Sequence, residues 1–191
     1  MKIACSWPGP NQVLGLINRD PCQLMIDVSE VSEEDLPIIQ NIACQTWPST
    51  FGEILSPKQI SYMLDMMYSL DALRRQINEQ NHVFLLARNK GTSEYLGYVS
   101  YELDYKNELL TKIHKIYLLP ASQGKGIGRL LIDSVAQLAM QHTNNRLGLN
   151  VNRNNKAIQF YERMGFVIVG NEDIDIGDGF IMEDFIMEKQ L

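Results

Sequence analysis

No stretch of this sequence approaches the ~20 consecutive apolar residues that a membrane helix needs, so a membrane-spanning helix is not expected. Cysteine is scarce. Cys5, Cys22 and Cys44 are odd in number and none lies at metal-ligand spacing, which argues against a disulfide framework or a zinc site. Reduced thiols in a cytoplasmic protein are the expectation. Positive charge is also in deficit: 17 Lys and Arg stand against 23 Asp and Glu, a formal net charge of −6. Bulk attraction to nucleic acid or to an anionic membrane calls for clustered cations, so neither partner is expected. The acidity is compatible with a cationic substrate. No Ser/His/Asp or Cys/His nucleophile set stands out, and internal repeats, low-complexity tracts and interdomain linkers are missing.

What is present fits one α/β domain. The 191 residues suffice for a single well-buried core but not for two ordinary domains. Residues 1–23, with Trp7-Pro8-Gly9-Pro10 and Asp20-Pro21, have no helical or strand period and lack the pattern of a secretory signal. They read as a flexible or loosely docked extension, or as sequence upstream of a start at Met25. From residue 24 to 191 strands and helices alternate. Leu24 to Val28 alternates like a strand, and Ser32-Glu33-Glu34-Asp35 is a helix-start box. Leu36, Ile39, Ala43 and Trp47 then recur at the spacing of one helical face. Ser56-Pro57 opens a second helix with a face of Ile60, Met63, Leu64 and Met67, and Ser69 caps a third from Asp71 to Glu79. His82 to Arg88, Tyr95 to Leu103 and Thr111 to Leu118 read as successive antiparallel strands. A glycine-rich loop leads into a helix with Ile127, Leu130, Leu131, Val135 and Leu138 on one face. Arg146 to Val151 is a strand, Asn154 opens a helix closed by Gly165, and Val167 to Val169 pairs with Phe180 to Glu188. The sum is an α/β (α+β) fold with a mixed, mostly antiparallel sheet flanked by helices.

The loop Gln123-Gly124-Lys125-Gly126-Ile127-Gly128 carries the chemistry. Alternate glycines let the backbone turn tightly and leave its amides uncovered at a helix N-terminus, where the helix dipole favours phosphate. Lys125 and Arg129 add positive charge. The kinase-type loop G-x-x-x-x-G-K-S/T fails because Gly126 follows Lys125, and the dinucleotide pattern G-x-G-x-x-G fails by one position.

Together with Ile116-Tyr117-Leu118-Leu119-Pro120 before it, Gln123-x-x-Gly126-x-Gly128 resembles the acetyl-coenzyme A motif Q/R-x-x-G-x-G/A of the GNAT acetyltransferase superfamily. A second signature follows: Asn152, Asn155-Lys156-Ala157 and Phe160-Tyr161-Glu162-Arg163-Met164-Gly165-Phe166. The resemblance implies a GNAT-like domain with acetyl-CoA as cofactor, in which two neighbouring strands, here Thr111 to Leu118 and Arg146 to Val151, splay to admit the pantetheine arm. It implies that the backbone of Ile116, Tyr117 and Leu118 pairs with that arm and that an N–H there polarises the thioester carbonyl. The pyrophosphate would rest on Gln123, Gly124, Lys125, Gly126, Ile127, Gly128 and Arg129, with Asn152 and Asn155 on the cofactor arm. Tyr161 becomes the general acid for a leaving thiolate, where spacing alone would make it a packed aromatic. Many members place a carboxylate on the strand before the loop. Here Lys112-Ile113-His114-Lys115 has none, which leaves His114 as the titratable candidate for a base, against an equal reading as a strand residue without chemistry.

The segments Thr46-Trp47-Pro48-Ser49-Thr50-Phe51 and Asp184-Phe185-Ile186-Met187-Glu188-Lys189 look similar to the bacterial spermidine/spermine N-acetyltransferase branch. The acidic tract Glu172-Asp173, Asp175, Asp178, Glu183-Asp184 could line a polycation groove or be a solvated loop. The resemblance therefore implies N-acetylation of a small-molecule amine such as a polyamine. A protein N-terminal or lysine acetyltransferase and a non-catalytic acyl-CoA sensor are the alternatives, and a homodimer is expected by analogy alone.

Overall fold

The computed structural model describes residues 25–191. The expected extension and Leu24 lie outside the described residues. Seven strands and five helices follow one another as β1 (Ile26–Glu30), α1 (Leu36–Phe51), α2 (Pro57–Tyr68), α3 (Leu70–Glu79), β2 (Val83–Asn89), β3 (Tyr95–Glu102), β4 (Leu110–Leu118), α4 (Ile127–Gln141), β5 (Arg146–Asn152), α5 (Ile158–Arg163), β6 (Val167–Gly177) and β7 (Phe180–Gln190). One sheet takes the order β1-β2-β3-β4-β5-β7-β6. Only β4 and β5 are parallel neighbours; all other pairs are antiparallel, so the sheet is mixed and mostly antiparallel as the sequence predicts.

Helices cover both faces, and the strand side chains divide between two cores with the period-2 alternation of a doubly covered sheet. Leu85, Ala87, Val99, Ile113, Leu149 and Val151 pack with Ile127, Leu131 and Val135 of α4. Phe84, Leu86 and Tyr98 pack with Leu36, Ile39, Ala43 and Trp47 of α1, Met63 of α2 and Leu73 of α3. The helical face read from the spacing of Leu36, Ile39, Ala43 and Trp47 is the buried one. The expected caps form as well: Ser56 Oγ accepts from Gln59 N at 3.2 Å and Ser69 Oγ from Ala72 N at 3.4 Å.

The helix expected to open at Asn154 begins only at Ile158, after a turn, and two larger features also differ from the sequence expectation. The strand expected over Val167 to Val169 continues to Gly177, so most of the acidic tract is not loop but half of a long β6–β7 hairpin. Asp and Glu are poor strand formers, but Asp173-Ile174-Asp175-Ile176 alternates with period two and β7 supplies the pairing. The second is a bulge. Ser100 of β3 pairs with Lys115 and Tyr101 with Ile113, which leaves His114 as an extra residue in β4.

Candidate active site

The parallel pairing of β4 with β5 stops after Ile113 and Leu149. Beyond that point β4 stays on β3, where Tyr117 faces Tyr98 and Leu118 faces Gly97, while β5 stays on β7, where Asn152 faces Asp184. The two strands therefore part, and the β4 edge from His114 to Leu118 has no strand partner on the β5 side. Gly97 permits the close approach of β3 to this end of β4: a Cβ there would lie 2.5 Å from both Leu118 Cδ2 and the Tyr117 carbonyl oxygen. A cavity of about 1100 Å³ fills the opening, lined by Gln123, Gly124 and Gly126 to Arg129 of the glycine loop and by Trp47, Phe51, Met63 and Met67.

The glycine loop turns on two of its glycines. Gly124 and Gly126 have φ of +71° and +78°, the left-handed region where a side chain would be strained. Gly126 caps the 15-residue α4, whose first intrahelical bond runs from Leu130 N to the Gly126 carbonyl at 3.0 Å. The N–H groups of Ile127, Gly128 and Arg129 are thus left without helical acceptors at the positive end of the dipole. Gln123, Gly124, Gly126, Ile127, Gly128 and Arg129 all border the main cavity. Lys125 does not. It borders a second cavity of about 600 Å³, with Met25, Ile38 and Tyr95.

The second signature folds beneath the gap. Asn152 and Asn155 both line the cavity, and each also holds the turn into α5. Asn152 Oδ1 accepts from Asn154 N at 3.0 Å and Asn155 Oδ1 from Ala157 N at 2.8 Å, which leaves the amide nitrogens to other partners. Tyr161 is 8% exposed, packs its ring 5.9 Å from that of Phe166, and lines the cavity. Burial pushes its hydroxyl well above the ordinary tyrosine range, so it stays protonated.

The wall opposite the loop is more charged than the sequence suggests. His114 Nε2 lies 2.9 Å from Glu102 Oε2, and its ring stacks on that of His82 with centroids 3.9 Å apart. Burial, then His82, Lys115 and Lys112, hold its pKa down at about 2. Lys112 and Lys115 border the cavity too, each lowered to about 8, chiefly by burial. Lys112 Nζ contacts Asn150 Oδ1. The acidic tract sorts itself by partner. Asp173 and Glu183 bind Arg153, Asp178 binds Lys58 at 3.0 Å, and Glu172 accepts from Asn150 at 3.0 Å. Asp184 is 7% exposed, and its Oδ1 has no hydrogen-bond partner among the described residues. Glu172 and Asp184 are the members of the tract that reach the cavity. Sequence reasoning missed Lys112, Lys115 and the isolation of Asp184.

Among the described residues, His82, Glu102 and His114 are the one cluster whose metal-ligating atoms lie within 4.8 Å of one another. Their geometry does not suit an ion. The stacked imidazoles are tilted by only 15°, so their in-plane lone pairs run side by side where a metal at ~2.0–2.1 Å from both nitrogens needs them to converge.

A profile of the acetyltransferase (GNAT) domain matches residues 53–188. A spermidine N(1)-acetyltransferase of Thermoplasma acidophilum is 28% identical over 164 residues, spanning 84% of this chain and 97% of its own length. An uncharacterized N-acetyltransferase of Lactobacillus delbrueckii subsp. lactis is 27% identical over 172 residues, with 87% and 98% covered. Among solved structures, the PaiA N-acetyltransferase of Thermoplasma acidophilum in complex with coenzyme A superimposes with a TM-score of 0.72 at 26% identity, covering 87% of this chain and 99% of that one. The parted strands, the exposed amides at the start of α4 and the glycines that leave them uncovered suit a pyrophosphate with an extended thiol-bearing arm. With a family profile across most of its length and this site to match, the chain belongs to the GNAT acetyltransferase family and is an acetyl-CoA-dependent N-acetyltransferase.

Proposed function

We propose that the acceptor is a primary amine on a small, largely aliphatic molecule, with a polyamine as the leading class. The observation that carries this is the composition of the cavity lining outside the glycine loop. Trp47, Ile54, Met63, Met67, Ile174 and Met182 offer an apolar channel for methylene groups, and the carboxylates of Glu172 and Asp184 border it as partners for ammonium groups. The relationship to a spermidine N(1)-acetyltransferase supports the same class.

In this reading the backbone of Ile116, Tyr117 and Leu118 holds the pantetheine arm, and an N–H on that edge stabilises charge on the thioester oxygen. The pyrophosphate takes the amides from Gln123 to Gly128 with Arg129, and the amide nitrogens of Asn152 and Asn155 serve the arm. Tyr161 donates the proton that the departing thiolate needs. His114 borders the same space, but an imidazole held neutral to such low pH is a weak proton acceptor.

Lys112 and Lys115 favour a second reading, an amine that also carries an acid group, because both border the cavity. An acetyl-CoA consumption assay over polyamines, amino sugars, α-amino acids and short peptides separates the two. Spermidine or a related polyamine is expected to give the highest kcat/KM. Turnover confined to amino acids or peptides would replace the polyamine reading, and tight acetyl-CoA binding with no amine turned over would point to a sensor.

A further inference from the structure

Among the described residues that line the cavity, Trp47 Nε1 and Asp184 Oδ1 are buried without a hydrogen-bond partner, and of the two only Asp184 is titratable. Asp184 lies on β7 opposite Asn152, where β4 and β5 have parted, and it lines the cavity. Burying a carboxylate with an unengaged oxygen costs free energy unless something satisfies it. Arg153 spends its terminal nitrogens on Asp173 and Glu183 and leaves its Nε buried without a partner, while Lys112 turns its Nζ to Asn150, so neither nearby cation hydrogen-bonds Asp184. Oδ1 is left unsatisfied in the chain itself, at less than a tenth exposed, beside the space through which an amine must reach the thioester. The carboxylate lines the cavity with no cation of the chain hydrogen-bonded to it, so an ammonium that enters with the acceptor can supply that partner.

We propose that Asp184 binds the ammonium of the acceptor and takes its proton, acting as the general base of acetyl transfer. This rests on the amine acetyltransferase reading above. An alkyl ammonium has no lone pair, so one N–H proton moves to Asp184 and frees the nitrogen to attack the acetyl carbon. The C–N bond forms and the C–S bond breaks. Sulfur takes a proton from Tyr161, and Tyr161 recovers one from the second N–H proton shed by the nitrogen as it becomes an amide. The sum is ammonium plus acetyl-CoA giving acetamide, coenzyme A and one proton, released from Asp184 to solvent.

The groups that face Asp184 come from three other segments. They are Lys112 and Tyr117 on β4, Glu172 on β6, and Arg153 just beyond β5. Burial raises its pKa most, Lys112 lowers it, Glu172 raises it and Arg153 lowers it, which leaves the carboxyl at about 6. A base of that strength is charged at pH 7 and still accepts protons near neutrality.

The test is the pH profile of kcat/KM for the amine in wild type, Asp184→Asn and Asp184→Ser, with acetyl-CoA affinity measured by calorimetry on each. Wild type should show an acid limb near pH 6. Both variants should bind acetyl-CoA as wild type does, lose kcat/KM by about 10²-fold or more at pH 7, and lose that limb. Because two side chains of different size replace the carboxylate, either one that binds acetyl-CoA normally carries the test. A variant that binds normally and keeps both rate and limb overturns the assignment, as does loss of the limb in His114→Gln alone. If wild type itself turns over no amine, the acetyltransferase reading has failed, a different result from a failure of Asp184.

Discussion

Tyr161 sits among Phe160 and Phe166 as a core aromatic would, yet the same residue borders the main cavity. Packing and chemistry make different claims on it, and a single oxygen separates them. The raised pKa guarantees a proton to give but weakens the drive to give it to a thiolate of ordinary pKa ~8.5. An acid so placed should contribute at the lower end of the ~10²–10⁴-fold range of general acid catalysis. Tyr161→Phe keeps the ring and removes the hydroxyl, so kcat should fall about 10²-fold while acetyl-CoA affinity holds. Steady-state kinetics beside equilibrium binding decides it: an unchanged kcat would leave Tyr161 a packing residue.

At the level of elements, the loop before α4 shows how far local sequence determines local structure. Gly126 takes φ of +78° at the helix cap, and Gly124 takes +71° with nothing within 4 Å of where a Cβ would be. Gly124→Ala should therefore cost about 1–2 kcal/mol in backbone strain and little else. Gly126→Val places a branched side chain in a left-handed cap beside the free amides, so acetyl-CoA binding should be lost beyond any loss of stability. Thermal melts and calorimetric titration of the two variants separate these effects, and a Gly126→Val protein that binds acetyl-CoA normally would count against the loop as the pyrophosphate site. This loop, the three antiparallel strands before it and the face of α1 were legible because each follows from residues close in sequence. The charged wall was not. Lys112 and Lys115 are three apart, a spacing that sends side chains to opposite faces of a regular strand. The extra residue at His114 brings both to the cavity, and no local pattern announces that bulge. Asp184 was read only as one acid in a tract, because its isolation depends on which distant cations its neighbours capture.

Across the whole molecule, buried titratable groups set how stability varies with pH, and their signs place the optimum. His82 and His114 fold to pKa values of about 4 and about 2. Below pH 6.5 the unfolded chain binds protons that the folded one refuses, so their contribution to stability rises with pH across that window. Asp184 has the opposite sign between 3.8 and about 6, where the folded state keeps a proton the unfolded chain has lost. Glu102, also raised by burial, adds to Asp184, but the imidazoles are lowered to about 4 and about 2, and their larger shifts mean that acidification through this range should destabilise. Lys112 and Lys115 share the sign of the histidines, with a window from about 8 to 10.5. Stability should therefore go on rising above pH 8. Tyr68, Tyr98, Tyr101, Tyr117 and Tyr161 reverse the trend above pH 10, since burial raises all five and the folded state keeps protons that unfolded tyrosines release. Thermal melts from pH 4 to 11 should peak between about 8 and 10. Lys115 supplies the causal test. Its ammonium lies 5.8 and 5.9 Å from the ring centroids of Tyr68 and Phe84, contacts that only partly offset its desolvation. Lys115→Met keeps the length of the side chain and removes the charge. It should stabilise the protein at pH 7 by up to about 3 kcal/mol and flatten the rise between pH 8 and 10. A variant that melts lower than wild type at pH 7 would show that the ammonium is held by more than those two rings.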